Sequence, residues 1–117
     1  MTAVARRHGS RIGYYEVWNE PNDPNFGKGT IARLVELTRG TRQVLDSVDP
    51  AARVITPAAY SVGWLDAFLA AGGGRWSDVV GYHIHNGRPE DDVLPLANLL
   101  AREFLVDLGW GASRFAW

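Results

Sequence analysis

The chain has 117 residues, and its 12 Lys and Arg side chains nearly balance 13 Asp and Glu, for a formal net charge of −1. Hydrophobic residues make up 46% and charged residues 21%, which is typical of a globular domain and too apolar for a disordered chain. This balance provides no basic surface for nucleic acid or an anionic membrane, and no apolar stretch approaches the roughly 18 residues of a membrane span. The absence of cysteine excludes disulfides, thiolate zinc sites and thiol nucleophiles. We expect a single domain over residues 1–117 that binds neither nucleic acid nor a membrane.

The first half of the sequence predicts a strand followed by a helix. Residues Ile12–Trp18 are rich in aromatic and β-branched side chains and are followed by the turn-forming segment NEPNDPNFGKG. Thr30 is a helix N-cap candidate, and Asp49-Pro50 is a helix stop. Between them an apolar stripe repeats at helical spacing: Ile31, Leu34, Val35, Thr38, Leu45 and Val48.

The second half continues this alternation of strands and helices. The predicted elements are a strand at Arg53–Thr56, a helix at Trp64–Leu69 ended by Gly72–Gly74, a strand at Asp78–Ile84, a helix within Pro89–Leu108, and the start of a strand at Arg114–Trp117. Strands separated by single helices are typical of parallel α/β folds, either the doubly wound sheet or the (β/α)8 barrel. No G-x-G-x-x-G follows a strand, so a dinucleotide site has no support.

Polar side chains gather where two of the predicted strands end. The first strand runs into Asn19-Glu20-Pro21, and the third ends in His83-Ile84-His85-Asn86. Parallel α/β folds bind ligands at the carboxyl ends of their strands. Both groups are therefore candidate ligand-binding residues and not merely polar loop residues. For N-E-P alone, a simple turn is the ordinary alternative.

The string RIGYYEVWNEPN resembles the fourth strand of the retaining β-glycosidases of glycoside hydrolase clan A. It is especially similar to family 39, with family 5 as a competitor. DPAARVITPAAY resembles the fifth strand and SDVVGYHIHN the sixth, and the segment before Ile12 resembles the tail of the third helix. The resemblance implies a partial (β/α)8 barrel of about half the strands, from the fourth to the start of the seventh.

The resemblance also implies site roles. Glu20 takes the place of the general acid/base, and Asn19 that of the amide that hydrogen-bonds a sugar hydroxyl. His83 and His85 are candidates for lining the sugar site, against the alternative of one buried and one exposed histidine. Tyr60 is a candidate subsite residue, against an ordinary loop aromatic. No metal or cofactor is implied, and the expected partner is an oligosaccharide or other glycoside.

The retaining mechanism needs a second carboxylate about 5–5.5 Å from the first. The family places it at the end of the seventh strand, which RFAW only begins. Glu16 does not replace it, since an extended strand would put it about 13 Å from Glu20. We therefore expect the chain alone to be inactive, marginally stable, and prone to pair with a second half-barrel or with itself.

Two other interpretations stay open. A non-catalytic module would bind carbohydrate or a partner chain through the same strand ends. A metal-dependent barrel hydrolase would use His83 and His85 as ligands, although no third ligand is evident. Among the aromatic residues, Trp64 and Phe68 are expected in a helix core, while Trp18 is either packed within the barrel, the favoured interpretation, or the floor of the site.

Overall fold

The polypeptide begins with a short helix, α1 (Thr2–His8), which leads into the first strand, β1 (Tyr14–Glu16). The structure is a computed structural model and describes residues 1–27 and 29–83. The predicted helix within Pro89–Leu108, the predicted strand at Arg114–Trp117 and the candidate His85 lie outside the described residues. The helix expected ahead of the first strand is present.

The second helix, α2 (Ile31–Val48), confirms the prediction made from its caps. The Thr30 side chain accepts the Arg33 N–H at 3.2 Å, and the helix ends at the C-cap Asp49. Three residues of the stripe, Leu34, Thr38 and Leu45, are buried against the rest of the fold, and Thr41 is buried with them. Thr38 is tolerated there because its hydroxyl donates to the Leu34 carbonyl at 2.7 Å.

The second strand, β2 (Arg53–Ile55), pairs with β1 in parallel, with Tyr15 opposite Val54. Both strands are shorter than predicted, but the pairing continues as a bridge between Asn19 and Ala58. Within the described residues 78–83, the predicted third strand forms isolated parallel bridges, from Val79 to Ile55 of β2 and from Tyr82 to Ala59 after β2. Its ladder is interrupted because the Gly81 N–H donates to the Thr56 hydroxyl, at 2.9 Å, instead of to a carbonyl.

The core lies between the helices and one face of β1 and β2. Tyr15 and Val54 project to this side and pack with Leu45 of α2 and Ala5 of α1. On the opposite face Tyr14 is 61% exposed, although the apolar area of a tyrosine is normally covered. Pairing of this uncovered face with a second half-barrel or a second copy stays a prediction.

The third helix, α3 (Val62–Ala70), packs its Leu65 and Phe68 side chains inward, as predicted for Phe68. Ser61 caps its start by accepting the Trp64 N–H at 3.3 Å. The predicted glycine stop is present: Gly72 has φ 93°, a left-handed conformation that favours glycine, and a 3₁₀ turn follows at Gly73–Trp76.

An acid at the start of the third extended segment ties it to α2 and β2. Asp78 Oδ2 accepts from the Arg42 guanidinium and from the Val54 N–H, both at 2.9 Å. Arg42 also donates to the Ala52 carbonyl at 3.1 Å. These contacts fix where the segment enters the sheet, and thereby the position of the residues at its far end. No helix among the described residues is long and apolar enough to cross a membrane.

Candidate functional site

The ends of three neighbouring extended segments converge on one edge of the sheet. Ala58 is the centre of this edge: its N–H donates to the Trp18 carbonyl at 3.0 Å and its carbonyl accepts from the Glu20 N–H at 2.8 Å. On the other side the His83 N–H donates to the Ala59 carbonyl at 2.9 Å. The backbone thus brings the NEP motif and His83 to either side of the same two alanines.

Glu20 and His83 contact each other directly across Ala58 and Ala59, which follow β2. Glu20 Oε1 lies 2.8 Å from His83 Nδ1, and Glu20 as a whole is only 8% exposed. Strands spaced about 4.8 Å apart place the outer two roughly 10 Å from each other, a gap that only long side chains span. Ala58 and Ala59 lie fully buried between them. Whichever of the two faces the contact, it presents only a methyl group, so no larger side chain of this segment stands between the carboxylate and the imidazole.

The backbone of Glu20 is held in an unusual conformation. Its φ is 45°, in the left-handed region that non-glycine residues rarely adopt. Such a conformation costs on the order of 1–3 kcal/mol and is found most often at functional sites, where neighbouring contacts hold it. Here its N–H is bonded to Ala58 and its carbonyl accepts the Asp23 N–H at 3.0 Å. Those bonds and the His83 contact together fix the direction of the carboxylate.

Tyr60 connects the loop after β1 with the third extended segment. Its backbone N–H donates to Asn22 Oδ1 at 3.2 Å, and its hydroxyl donates to Asp23 Oδ2 at 3.4 Å. The Tyr82 hydroxyl donates to the Tyr60 carbonyl at 3.2 Å. Sequence reasoning named Tyr60 but missed Asn22, Asp23 and Tyr82. The available signal was the NEPND turn, whose side-chain acceptors are typical of residues that bond a neighbouring backbone.

The charges of the site change the pKa of Tyr60. Its pKa is raised above the ordinary tyrosine value, first by partial burial, then by the charge of Asp23 and the hydrogen bond to it, and last by the charge of Glu20. Since the Glu20 carboxylate acts on the phenol, Tyr60 belongs to the surroundings of the same buried acid. It is still 37% exposed, so one side of the ring faces solvent.

This shift predicts an alkaline limit to the folded state. Because the folded pKa of Tyr60 is raised, its contribution to stability is complete below the unfolded tyrosine value of about 10 and is lost as the pH rises through the folded value. We expect the tyrosinate absorbance of the wild type, minus that of Tyr60→Phe, to titrate above that unfolded value. Asp23→Asn is expected to lower the midpoint. A difference curve unchanged by Asp23→Asn would contradict the assigned cause.

The other aromatic and polar residues named from the sequence differ in how exposed they are. Asn19 adjoins Glu20 at the strand end, with an exposed side chain. Trp18 is 46% exposed among the described residues, and its favoured interpretation, packing within a complete barrel, stays a prediction. Trp64 is half-buried and stacks on Phe68 with ring centres 5.6 Å apart. Among residues 1–27 and 29–83 no group of three or more His, Cys, Asp or Glu is arranged to hold a metal ion.

Comparison with known proteins leaves this geometry as the main guide to function. The chain has no significant match to a known protein family, a curated protein or a solved structure. What the described residues define is a parallel α/β unit with a buried carboxylate, bonded to an imidazole, at the carboxyl end of its strands. That edge is where parallel α/β proteins carry out their chemistry.

Proposed function

We propose that this chain carries the proton-donating half of a retaining β-glycosidase site, built on part of a (β/α)8 barrel, with Glu20 as the acid/base. The observation that supports this most directly is the contact of the buried Glu20 carboxylate with His83, 2.8 Å apart at the strand ends. A structural glutamate in a turn would ordinarily be solvated. This one is withdrawn from water, held in a rare backbone conformation and paired with a titratable ring.

Each residue then has a chemical task. Glu20 in its acid form gives its proton to the leaving oxygen as the sugar carbon becomes oxocarbenium-like, and as a carboxylate it later removes a proton from water. His83 is a positioning residue that fixes Oε1. Asn19 presents an amide for a sugar hydroxyl. Covalent attack on the sugar carbon requires a second carboxylate, which the resemblance assigns to the seventh strand, so turnover belongs to the parent protein.

Formate as an external nucleophile tests this assignment on the chain as it is. A formate oxygen bonds to the sugar carbon while the glycosidic bond breaks, Glu20 protonates the departing oxygen, and water then hydrolyses the glycosyl formate. We expect formate-dependent release of phenol from phenyl β-glucoside or β-xyloside. Glu20→Gln should lower it by about 10²–10⁴-fold, the usual contribution of a general acid. A dinitrophenyl leaving group needs no proton, so there the loss should be small.

Glu16→Gln is the matched control, since Glu16 lies on the same strand but is exposed. It should leave both rates unchanged. Failure of formate to release either phenol, or an equal loss with both leaving groups in Glu20→Gln, would contradict the proposal. Oligosaccharide binding without any formate-supported hydrolysis would favour the second candidate, a non-catalytic carbohydrate-binding module, which the exposed side chains of Asn19, Trp18 and Tyr60 also suit.

A further inference from the structure

Trp18 is an exposed aromatic residue just after β1. It leaves 46% of its surface open, two residues before Glu20. Tyr15 and Val17, its neighbours along the strand, belong to or pack against the core. Because side chains alternate along a strand, Trp18 lies on the opposite face, away from the helices. Exposed apolar ring area is unfavourable in water, and a ligand that stacks on the indole would cover it.

The ring is nevertheless held in place. Its indole N–H donates to the Phe26 carbonyl at 2.9 Å. The polar edge of the ring is therefore already bonded, and the apolar faces are the part of the ring that a ligand can contact. Fixing a contact side chain before binding lowers the entropy lost when a ligand arrives. A flexible surface tryptophan would lack such an anchor.

The turn that supplies this carbonyl is itself well defined. The Asp23 carbonyl accepts the Phe26 N–H at 3.1 Å and the Gly27 N–H at 2.8 Å, and the Asp23 side chain accepts the Asn25 N–H at 2.7 Å. Gly27 passes so close to Pro21 that a Cβ there would lie 2.7 Å from the Pro21 carbonyl oxygen. The Pro21–Gly27 loop thus folds back over the strand end and holds the indole.

We propose that Trp18 is the platform of a sugar subsite, on which one face of a pyranose ring stacks beside Glu20. The inference rests on the proposed function and adds to it the residue that binds. Two residues of strand span about 6–7 Å, roughly the length of one sugar unit, so a ring on the indole lies one step from the acid. The ligand chemistry fits a pyranose, because the apolar C–H face of the sugar can stack on the indole.

The platform is tested by sugar titration followed at the indole N–H signals. The chain has five tryptophans, and the Trp18 signal in a nitrogen–proton correlation spectrum is the one missing from Trp18→Phe. Xylohexaose, cellohexaose and mannohexaose are titrated separately. We expect at least one to shift the Trp18 signal saturably. Trp18→Ala should weaken that binding by about tenfold or more, the scale of losing a central aromatic anchor, and Trp18→Phe should weaken it less.

Trp64→Phe is the matched control, because Trp64 stacks on Phe68 in α3 and should not affect binding. In Trp18→Ala, an unchanged indole N–H signal of Trp64 shows that the variant is folded. If none of the three hexasaccharides moves the Trp18 signal of the wild type, the platform is overturned, whatever the variants do. Equal affinity in Trp18→Ala would overturn it too. Sugar binding that depends on Trp18, without formate-supported hydrolysis, would support the platform and reject the catalytic proposal. Formate-supported hydrolysis that is unchanged in Trp18→Ala would support the catalytic proposal and reject the platform.

Discussion

Phe68→Ala is expected to lower the free energy of unfolding by about 3–5 kcal/mol, the usual cost of truncating a buried phenylalanine. Phe68 has no exposed surface and is the largest of the fully buried side chains. Its ring stacks on Trp64 with 9° between the planes. On another side it fits against Gly73, where any Cβ would fall within the ring's contact distance. A cavity here opens between α3 and the 3₁₀ turn, where little can collapse to fill it.

Urea unfolding followed by circular dichroism measures this loss. The matched control is Leu37→Ala, which removes an apolar side chain from α2 that is 37% exposed, and which should cost about 1 kcal/mol or less. Since domains of this size are stable by only about 5–15 kcal/mol, Phe68→Ala should lose a large share of the total stability. A loss no greater than that of Leu37→Ala would show that Phe68 is not a main support of the core.

The ends of α2 and the glycine stop after α3 could be predicted almost to the residue, because helix ends depend on local contacts. Thr30 and Ser61 each accept an N–H three residues ahead, and Gly72 adopts the positive φ that ends a helix. Such bonds involve only neighbours in sequence, so the sequence pattern contains them. The strands could be predicted in place but not in length, because a ladder also depends on its partner. Thr56, by binding Gly81 through its side chain, interrupts a pairing that the pattern of Asp78–Ile84 favours.

The location of the site at the strand ends could be predicted, but the contacts between its side chains could not. Glu20 and His83 were each named from their motifs, yet their bond spans 63 residues and requires β1, β2 and the third segment in one register. Nothing in the sequence around Ala58 and Ala59 indicates that two side chains meet across them. The exposure of Trp18 and the loop contacts of Tyr60 likewise depend on how the Pro21–Gly27 loop folds back, which follows from packing and not from composition.

Gly81→Ala should destabilise the third extended segment and separate His83 from Glu20. A Cβ at Gly81 would lie 2.9 Å from Ile55 Cγ2 and 3.2 Å from Ala58 Cβ, both on β2 or directly after it. The φ of Gly81 is not positive, so the cost comes from crowding and not from backbone strain. Overpacking of this kind costs about 1–3 kcal/mol. The segment relieves it by moving away from β2, which lengthens the 2.8 Å contact two residues further on.

Gly40→Ala makes the same chemical change with the opposite expected sign. Gly40 lies inside α2 with nothing within 4 Å of its added Cβ, so alanine should raise stability by roughly 0.5–1 kcal/mol. Urea unfolding of the two variants separates crowding from the loss of a glycine. The imidazole signals of His83 should move in Gly81→Ala and stay in Gly40→Ala, since only the first disturbs the sheet edge. If both variants are stabilised and His83 is unchanged, the close packing of the third segment on β2 is not what holds the two site residues together.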